Sequence, residues 1–214
     1  MKKHRGLLIT FEGTEGAGKS TLIREVSSEL QSLGLIPGQI VLTREPGGTE
    51  LAEKIRRLIL DESMDPWTEL FLYEAARAEH LAKTLLPALE RGAVVLCDRF
   101  TDSSLAYQAH ARGLPWKQVK ALNHVATRGL NPDLSVFLDV DPALGLSRAR
   151  EQTRFEKEGV PFQTKVRAGF LKSCREEPGR WLILKRSDRT PEELSKQVLA
   201  RLLKKFGKTL GRMR

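Results

Sequence analysis

The sequence has little of what would place the chain in a membrane, in a disulfide-rich class or around a metal centre. Only two of its 214 residues are cysteines, Cys97 and Cys174, which is too few for a disulfide framework and lacks the spacing of metal ligands. Its apolar runs are no longer than a strand, so none can cross a bilayer. We interpret the basic start before Leu7 as leading into a first strand and not as a signal peptide. Together these features predict a reduced, cytoplasmic protein.

Histidine is also scarce. The four histidines are His4, His80, His110 and His124, and none has the partner pattern of a catalytic general base. We expect structural roles for them.

The composition is that of an ordinary globular domain with an excess of positive charge. Hydrophobic residues make up 40% and charged residues 29% of the sequence, and the formal net charge is +9. Residues 1–5 and 201–214 carry nine Lys or Arg and no acid, so residues 6–200 balance at 27 basic and 27 acidic residues. A solvated basic tail explains this distribution better than a nucleic-acid-binding groove. A weak contact of that tail with a polyanion stays open as the lesser alternative.

A phosphate-binding motif follows the first apolar run. Residues 13–21 read GTEGAGKST directly after Leu7–Phe11, which fits the G-x-x-x-x-G-K-[ST] pattern between a buried strand and a helix. Backbone N–H groups and the helix dipole suit phosphates there. Lys19 would bridge the β- and γ-phosphates, and the Ser20 hydroxyl would bind Mg²⁺. We therefore predict a nucleoside triphosphate site made of Gly13, Thr14, Glu15, Gly16, Ala17, Gly18, Lys19, Ser20 and Thr21.

Strand-like and helix-like segments alternate along the whole chain. The predicted strands are Leu7–Phe11, Gln39–Thr43, Ala93–Asp98, Leu134–Val140 and Trp181–Leu184. Their near-continuous hydrophobicity indicates a parallel sheet that is covered on both faces. This predicts an α/β, doubly wound fold of the P-loop NTPase type, with about five parallel strands and helices on both faces. We expect one domain over residues 1–214, with a core of about 6–200, a lid of about 148–165 and a basic tail of 201–214.

Several helices have recognisable start signals. Asp65-Pro66 and Asp141-Pro142 each place a capping carboxylate before a first-turn proline. Thr190 and Glu193 form a capping box at the start of the last helix. The apolar stripe of that helix, at spacing four, consists of Leu194, Val198, Leu202 and Phe206.

Polar residues after the strands mark the expected site, because ligands of such sheets bind at the carboxyl ends of the strands. Arg44 and Arg99 would converge on the edge that holds the phosphate loop. Tyr73 and Arg77 share one helix face, where a ring could stack on a base and a guanidinium could bind a phosphate. The Gln108 amide could read the N3–H and a carbonyl of a pyrimidine.

The segment from Arg148 to Lys165 is basic and lacks apolar periodicity, which is typical of a lid that closes over phosphates. Phosphoryl transfer depends on charge neutralisation, and an arginine finger contributes about 10³-fold or more to the rate. The candidates are Arg148, Arg150 and Arg154.

In combination these motifs resemble the bacterial thymidylate kinases. The resemblance covers Leu7 to at least Leu171, and it depends most on TREPGG from Thr43, YEAAR from Tyr73 and DRFTDSSLAYQ from Asp98. NPDLSVFLDV from Asn131, RFE and the downstream VRAGFL complete it. It implies ATP-dependent phosphorylation of dTMP to dTDP, with Mg²⁺, in a homodimer.

The resemblance also implies roles for single residues. Lys19 and Ser20 hold ATP phosphates and Mg²⁺, which Asp98 helps to organise, and Arg99 binds the acceptor phosphate. The implied dTMP-binding residues are Glu15 near the sugar 3′-hydroxyl, Tyr73 stacked on thymine, Arg77 and Gln108 at the thymine edge, Ser104 near the 5-methyl group, and Arg44, Pro46, Arg99 and Tyr107. The chemistry of Arg77 alone favoured a phosphate, so its partner stays open.

The chain departs from the family pattern at three places, one of which is Tyr73, where the family usually has a phenylalanine. The lid is about three residues shorter than in the usual bacterial version. Thr153 also stands where an aspartate often precedes the Arg-x-Glu motif. Thr14 and Glu15 stand where some relatives have a basic residue, so the catalytic arginine is expected from the lid, with Arg150 and Arg154 foremost. Two alternatives stay open: a kinase for another pyrimidine nucleotide or nucleoside, and a nucleotide-gated binding protein with a basic tail.

Overall fold

The computed structural model describes residues 6–34, 39–149, 153–185 and 189–211. Five strands form one sheet in the order β2-β3-β1-β4-β5, and every neighbouring pair is parallel. The strands are β1 (Leu7–Glu12), β2 (Ile40–Arg44), β3 (Val94–Asp98), β4 (Leu134–Asp139) and β5 (Trp181–Lys185). Each of the five predicted strands is present, and the α/β doubly wound fold is confirmed.

Helices connect the strands. They are α1 (Lys19–Ser32), α2 (Glu50–Asp61), α3 (Pro66–His80), α4 (Leu86–Glu90), α5 (Thr101–Ser104), α6 (Trp116–Ala126), α7 (Pro142–Arg148), α8 (Arg154–Lys157), α9 (Gly159–Glu176) and α10 (Pro191–Gly211). Two π-helical segments, Leu81–Leu85 and Leu105–Ala111, continue α3 and α5. No helix within the described ranges is both long enough and apolar enough to span a membrane.

The predicted start signals are confirmed. Asp65 accepts a hydrogen bond from the Trp67 N–H at 2.8 Å, in front of α3. Asp141 caps α7 in the same way, with acceptor distances of 3.0 and 3.1 Å. Thr190 and Glu193 exchange hydrogen bonds of 2.8 and 3.2 Å at the start of α10. Local sequence therefore sets where these helices begin.

Both faces of the sheet are buried. Leu7, Ile9 and Phe11 of β1 pack with apolar side chains of α1 and α10 on one face. Leu8, between them in sequence, packs on the opposite face with Leu81 of the first π-helical segment. This two-sided burial is the reason that the strands are almost continuously apolar.

The basic C-terminal segment is part of a packed helix. Leu202 and Leu210 of α10 are buried in the main core, and Phe206 packs against it. Lys205 donates to the Asp133 carbonyl oxygen at 2.8 Å. Residues 201–211 are therefore more than a solvated tail, because their apolar side anchors them to the core. Residues 212–214 lie outside the described ranges.

The predicted lid segment comprises the end of α7, the whole of α8 and the start of α9. Phe155 and Phe162 are buried, and the Phe155 ring lies edge-on to Tyr107 with 5.8 Å between centroids. From Thr153 onward the segment thus packs against the residues of the site described next.

Candidate active site

The phosphate loop connects β1 to α1 in the order that its sequence predicts. Lys19 turns back over the loop, and its Nζ donates to the carbonyl oxygens of Thr14 at 3.1 Å and Gly13 at 3.4 Å. Burial and the nearby Arg99 lower the pKa of Lys19. Because α1 begins at Lys19, its unpaired N–H groups and positive dipole end belong to this loop. The loop has the geometry of an anion site, and its individual ATP contacts stay predictions.

Close packing against α7 explains one glycine of the loop. Gly16 has φ 66°, and a Cβ there would lie 1.9 Å from the carbonyl oxygen of Gly145. A Cβ on Gly145 would lie 2.6 Å from the carbonyl oxygen of Glu15. Backbone meets backbone here, so both positions need glycine. The sequence has no local pattern that marks Gly145 for this contact.

Ser20 and Asp98, the predicted magnesium ligands, lie side by side. Ser20 Oγ donates to Asp98 Oδ2 at 3.0 Å, and Asp98 Oδ1 is buried without a hydrogen-bond partner among the described residues. Hydroxyl and carboxylate oxygens suit Mg²⁺, which usually completes its shell with water and substrate phosphates. In the described ranges no three His, Cys, Asp or Glu side chains form a cation site. The donors therefore fit an ion that arrives with a nucleotide.

Arg99 joins the phosphate loop to the neighbouring pocket. Its Nη1 donates to the Gly13 carbonyl oxygen at 2.9 Å, and its Nη2 donates to Glu15 Oε1 at 2.7 Å. The Tyr107 hydroxyl donates to the same Glu15 oxygen at 2.7 Å. Burial alone would raise the pKa of Glu15, but Arg99 and Lys19 hold it below its ordinary value. The charged carboxylate of Glu15 thus holds Arg99 and Tyr107 in place between the phosphate loop and the pocket.

Glu12 is a site residue that the motifs did not reveal. It ends β1 and is fully buried, and it accepts hydrogen bonds from the Phe100 N–H at 2.8 Å and the Ser103 hydroxyl at 2.7 Å. Arg99 has φ 70°, a value that residues with a side chain rarely adopt. Burial and the nearby Asp102 raise the pKa of Glu12 to about 8. The available signal was a carboxylate at the end of an apolar strand.

A pocket of about 310 Å³, including its open mouth, lies next to Arg99. Six of the nine predicted acceptor residues line it: Glu15, Tyr73, Arg77, Arg99, Tyr107 and Gln108. The other lining residues are Glu45, Phe100, Ser103 and Phe155. The mixed lining suits a small molecule with one apolar part and a few polar groups.

The other three predicted acceptor residues do not line the pocket. Arg44 forms an ion pair with Glu53 at 2.9 Å, and 55% of its side chain is exposed. The Pro46 carbonyl oxygen accepts from Arg56 at 3.1 Å. Ser104 is buried, and its neighbour Ser103 is the serine that lines the pocket.

Arg77 makes most of its possible hydrogen bonds to other residues of the protein. It is 1% exposed, and its guanidinium donates to Glu45 at 2.8 Å, Glu74 at 2.6 Å, Asn123 at 2.7 Å and the Phe100 carbonyl oxygen at 3.3 Å. Four of its five N–H groups are thereby engaged, which leaves at most one for a ligand. Glu74 is three residues before Arg77 on α3, whereas Glu45, Asn123 and Phe100 come from distant parts of the chain, so no local motif identifies these three.

The lid arginines differ in their surroundings. Arg154 Nη1 lies 2.6 Å from Glu69 Oε2, whereas Arg148 at the end of α7 is exposed. Arg150 lies outside the described residues. Arg167, which the motifs did not single out, donates its Nε to Asp139 Oδ1 at 2.5 Å at the carboxyl end of β4. Its hydrogen bond with Asp139 raises its pKa despite partial burial. The VRAGFL string was its only sequence signal.

Comparison with known proteins assigns the family. The family model described as thymidylate kinase matches residues 11–198, which include both the phosphate loop and the pocket. The chain belongs to the thymidylate kinase family.

Thymidylate kinases of several bacteria are similar to the chain over most of their length. It is 43% identical to that of Pelobacter propionicus over 210 residues, which cover 92% of this chain and 94% of the relative. It is 50% identical to that of Pseudomonas fluorescens over 183 residues, which cover 83% and 86%. A crystal structure of thymidylate kinase from Ehrlichia chaffeensis matches with a TM-score of 0.76 at 30% identity, covering 93% of this chain and 98% of that one.

Membership of the thymidylate kinase family confirms three of the sequence-based predictions: the family itself, the P-loop fold, and a phosphotransferase that acts on a nucleoside monophosphate. The roles of individual residues stay predictions.

Proposed function

We propose that this chain transfers the γ-phosphoryl group of ATP to dTMP, with dTDP and ADP as products. The observation that carries the proposal is the position of Arg99, whose guanidinium contacts Gly13 of the phosphate loop and Glu15 of the pocket. A cation between a triphosphate site and an acceptor pocket lies where charge has to be neutralised as the phosphoryl group moves. The thymidylate kinase family supports dTMP as the acceptor.

The donor side combines Lys19, the loop backbone and a metal. Lys19 would leave its contacts with loop carbonyl oxygens to bind the β- and γ-phosphates. Ser20 and Asp98 would hold Mg²⁺, which when bound neutralises phosphate charge and helps to align the transfer. The acceptor phosphate is itself a nucleophile, so no strong general base is required. None of the residues that line the pocket is a histidine.

The acceptor side divides into a sugar end and a base end. The Glu15 carboxylate, which accepts from Tyr107, would bind a sugar hydroxyl. The guanidinium of Arg99 beside it would bind the phosphate of the acceptor. Tyr73, at the pocket wall, would stack on the base, as aromatic rings commonly do. Gln108 and the remaining N–H of Arg77 would bind its polar edge.

We also infer that the enzyme is a homodimer. Four large apolar side chains on three helices are about half exposed or more: Leu51 (51%) and Leu58 (52%) of α2, Phe71 (54%) of α3 and Val125 (73%) of α6. Helix α3 packs against both α2 and α6, so these helices adjoin one another. Exposed large apolar side chains on adjoining helices are typical of an interaction surface, and most homo-oligomers are two-fold dimers. Light scattering after gel filtration should give twice the chain mass of 24.1 kDa for the wild type. Phe71→Glu should give the mass of a single chain. A monomeric wild type would contradict the inference.

Cytoplasmic residence is part of the same proposal. Cys97 and Cys174 are both free and buried. Free thiols are usual in a reducing compartment, where disulfides are rare.

The test is a competition among acceptors. The protein is incubated with Mg-ATP and equal amounts of dTMP, dUMP, dCMP, dGMP and thymidine, and the products are separated. We expect dTDP to dominate. Lys19→Ala should lower the rate by about 10²-fold or more, since the positive charge that neutralises the moving phosphoryl group is removed. Lys204→Ala, exposed on α10, is the matched control and should keep the wild-type rate.

Two outcomes would contradict the proposal. A preference for thymidine would make the protein a nucleoside kinase. ADP without any phosphorylated acceptor would show that the phosphate loop serves hydrolysis and not transfer.

A further inference from the structure

Glu69 is a buried carboxylate that binds three donor residues from two other segments of the site. It lies in the first turn of α3 and has no exposed surface. Its Oε1 accepts from Gln108 Nε2 at 2.7 Å and from Arg112 Nε at 3.4 Å. Its Oε2 lies 2.6 Å from Arg154 Nη1 and 3.3 Å from Arg112 Nη2. Two guanidinium groups thus supply the counter-charge that a buried carboxylate requires.

The contact with Glu69 determines which end of the Gln108 amide faces the pocket. A carboxylate that is paired with guanidinium groups accepts hydrogen bonds and does not donate them, so only the NH₂ end of the amide can face it. Gln108 is 1% exposed and lines the pocket. With an amide N–H held by Glu69, the carbonyl oxygen is the acceptor that Gln108 can offer to the pocket.

We propose that Glu69 is a positioning residue that makes Gln108 a hydrogen-bond acceptor toward the base and thereby selects pyrimidines with an N3–H. Thymine and uracil have a donor at N3, whereas cytosine has a lone pair there. Opposite an amide oxygen, the cytosine N3 would be repelled and left without a partner in a buried site, which is costly. The inference rests on the proposed function, because it assumes that a pyrimidine occupies the pocket.

The test measures the ratio of kcat/KM for dTMP to kcat/KM for dCMP in the wild type and in Glu69→Gln. A glutamine at this position can donate as well as accept, so the Gln108 amide is free to turn. We expect the ratio to fall about tenfold, mainly through a higher KM for dTMP, with kcat within about threefold of the wild type. Glu62→Gln, which is exposed at the end of α2, is the matched control and should leave the ratio unchanged.

A double-mutant cycle separates positioning from general damage. In a Gln108→Ala background, Glu69→Gln should not lower the ratio further, because the amide that it orients is gone. An equal additional loss in that background would overturn the proposal, as would lower activity toward both acceptors at an unchanged ratio. Arg154→Ala removes one counter-charge and keeps the Gln108 contact, so it should hold the ratio within about twofold. A drop as large as that of Glu69→Gln would assign the effect to α8 and refute the role of Gln108.

Two further results keep the test decisive. If Glu69→Gln does not fold, Glu69→Asp keeps the charge but is one methylene too short for Gln108, and the ratio should fall in the same direction. A wild type that phosphorylates no dTMP would refute the proposed function together with this inference. A wild type that prefers dTMP strongly, with variants that keep the preference, would refute the inference alone.

Discussion

The Glu12 carboxylate accepts a hydrogen bond of 2.8 Å from the backbone N–H of Phe100. This contact ties the end of β1 to the corner that follows β3. Arg99, whose guanidinium contacts the phosphate loop, stands at that corner with φ 70°. Through the N–H of Phe100, the buried Glu12 therefore helps to fix the position of Arg99, although the two residues are far apart in sequence.

The raised pKa of Glu12 predicts a pH dependence of stability. Its pKa is about 8 in the folded chain and 4.5 as the ordinary value. Its contribution to stability is therefore complete below pH 4.5 and is lost as the pH rises through 8, because the folded state holds the proton more tightly. Glu12→Gln removes this titration, so its melting temperature should fall less than that of the wild type between pH 6 and 9. Thermal unfolding at both pH values measures this, with the exposed Glu62→Gln as control. Equal falls in the wild type and Glu12→Gln would show that Glu12 does not titrate in this range.

Removal of the buried Arg77 should destabilise the protein strongly. Arg77→Met leaves Glu45 and Glu74 buried without their shared cation, which costs about 3–5 kcal/mol for a broken buried ion pair. The control is Arg44→Met, because Arg44 pairs with Glu53 at the surface and such pairs contribute about 1 kcal/mol or less. Urea unfolding measures both changes. Similar losses for the two variants would contradict the burial argument.

A methyl group at Gly16 should disrupt the phosphate loop. The added Cβ of Gly16→Ala would overlap the Gly145 carbonyl oxygen, so the loop has to move and ATP affinity should fall at least about tenfold. Gly207→Ala in α10 is the opposite case, since a Cβ there meets nothing within 4 Å. It should stabilise the helix by about 0.5–1 kcal/mol and keep ATP binding. Titration calorimetry and thermal unfolding measure the two effects. Unchanged ATP affinity in Gly16→Ala would contradict the close packing of loop and helix.

Two adjacent leucines test the role of the basic C-terminal segment. Leu202 is fully buried and Leu203 is 39% exposed. Leu202→Ala should cost about 2–5 kcal/mol of unfolding free energy, as is typical of a buried leucine. Leu203→Ala should cost about 0.5 kcal/mol or less, as is usual at the surface. Chemical unfolding curves distinguish them, and a small effect at Leu202 would mean that this part of α10 does not support the fold.

Much of the fold was predictable because its signals are local. A buried parallel strand is a short apolar run, and a helix start is a capping residue with a proline or an acid close by. Asp65, Asp141 and Thr190 therefore marked their helices correctly, and the apolar stripe of α10 was visible at spacing four. The stripe correctly predicted that Leu202 and Phe206 pack inward. It did not show which part of the core they would meet, since that depends on the distant segments beneath α10.

The donor half of the site was equally accessible to sequence reasoning. The phosphate loop, the lysine and the serine belong to one continuous motif, and their chemistry follows from their types and spacing. The string after β3 likewise pointed to Arg99, Tyr107 and Gln108 as acceptor residues, and all three line the same pocket.

What the sequence determined by itself was the set of local elements and the residue types that phosphate chemistry requires. Only the tertiary structure decided which distant residues meet: Glu12 and Phe100, Gly145 and Gly16, Glu69 and Gln108, and Glu45 and Arg77. The reason is physical. Secondary structure follows from interactions among residues a few positions apart, whereas a buried charge takes whichever partner the packing of distant segments brings within hydrogen-bond distance.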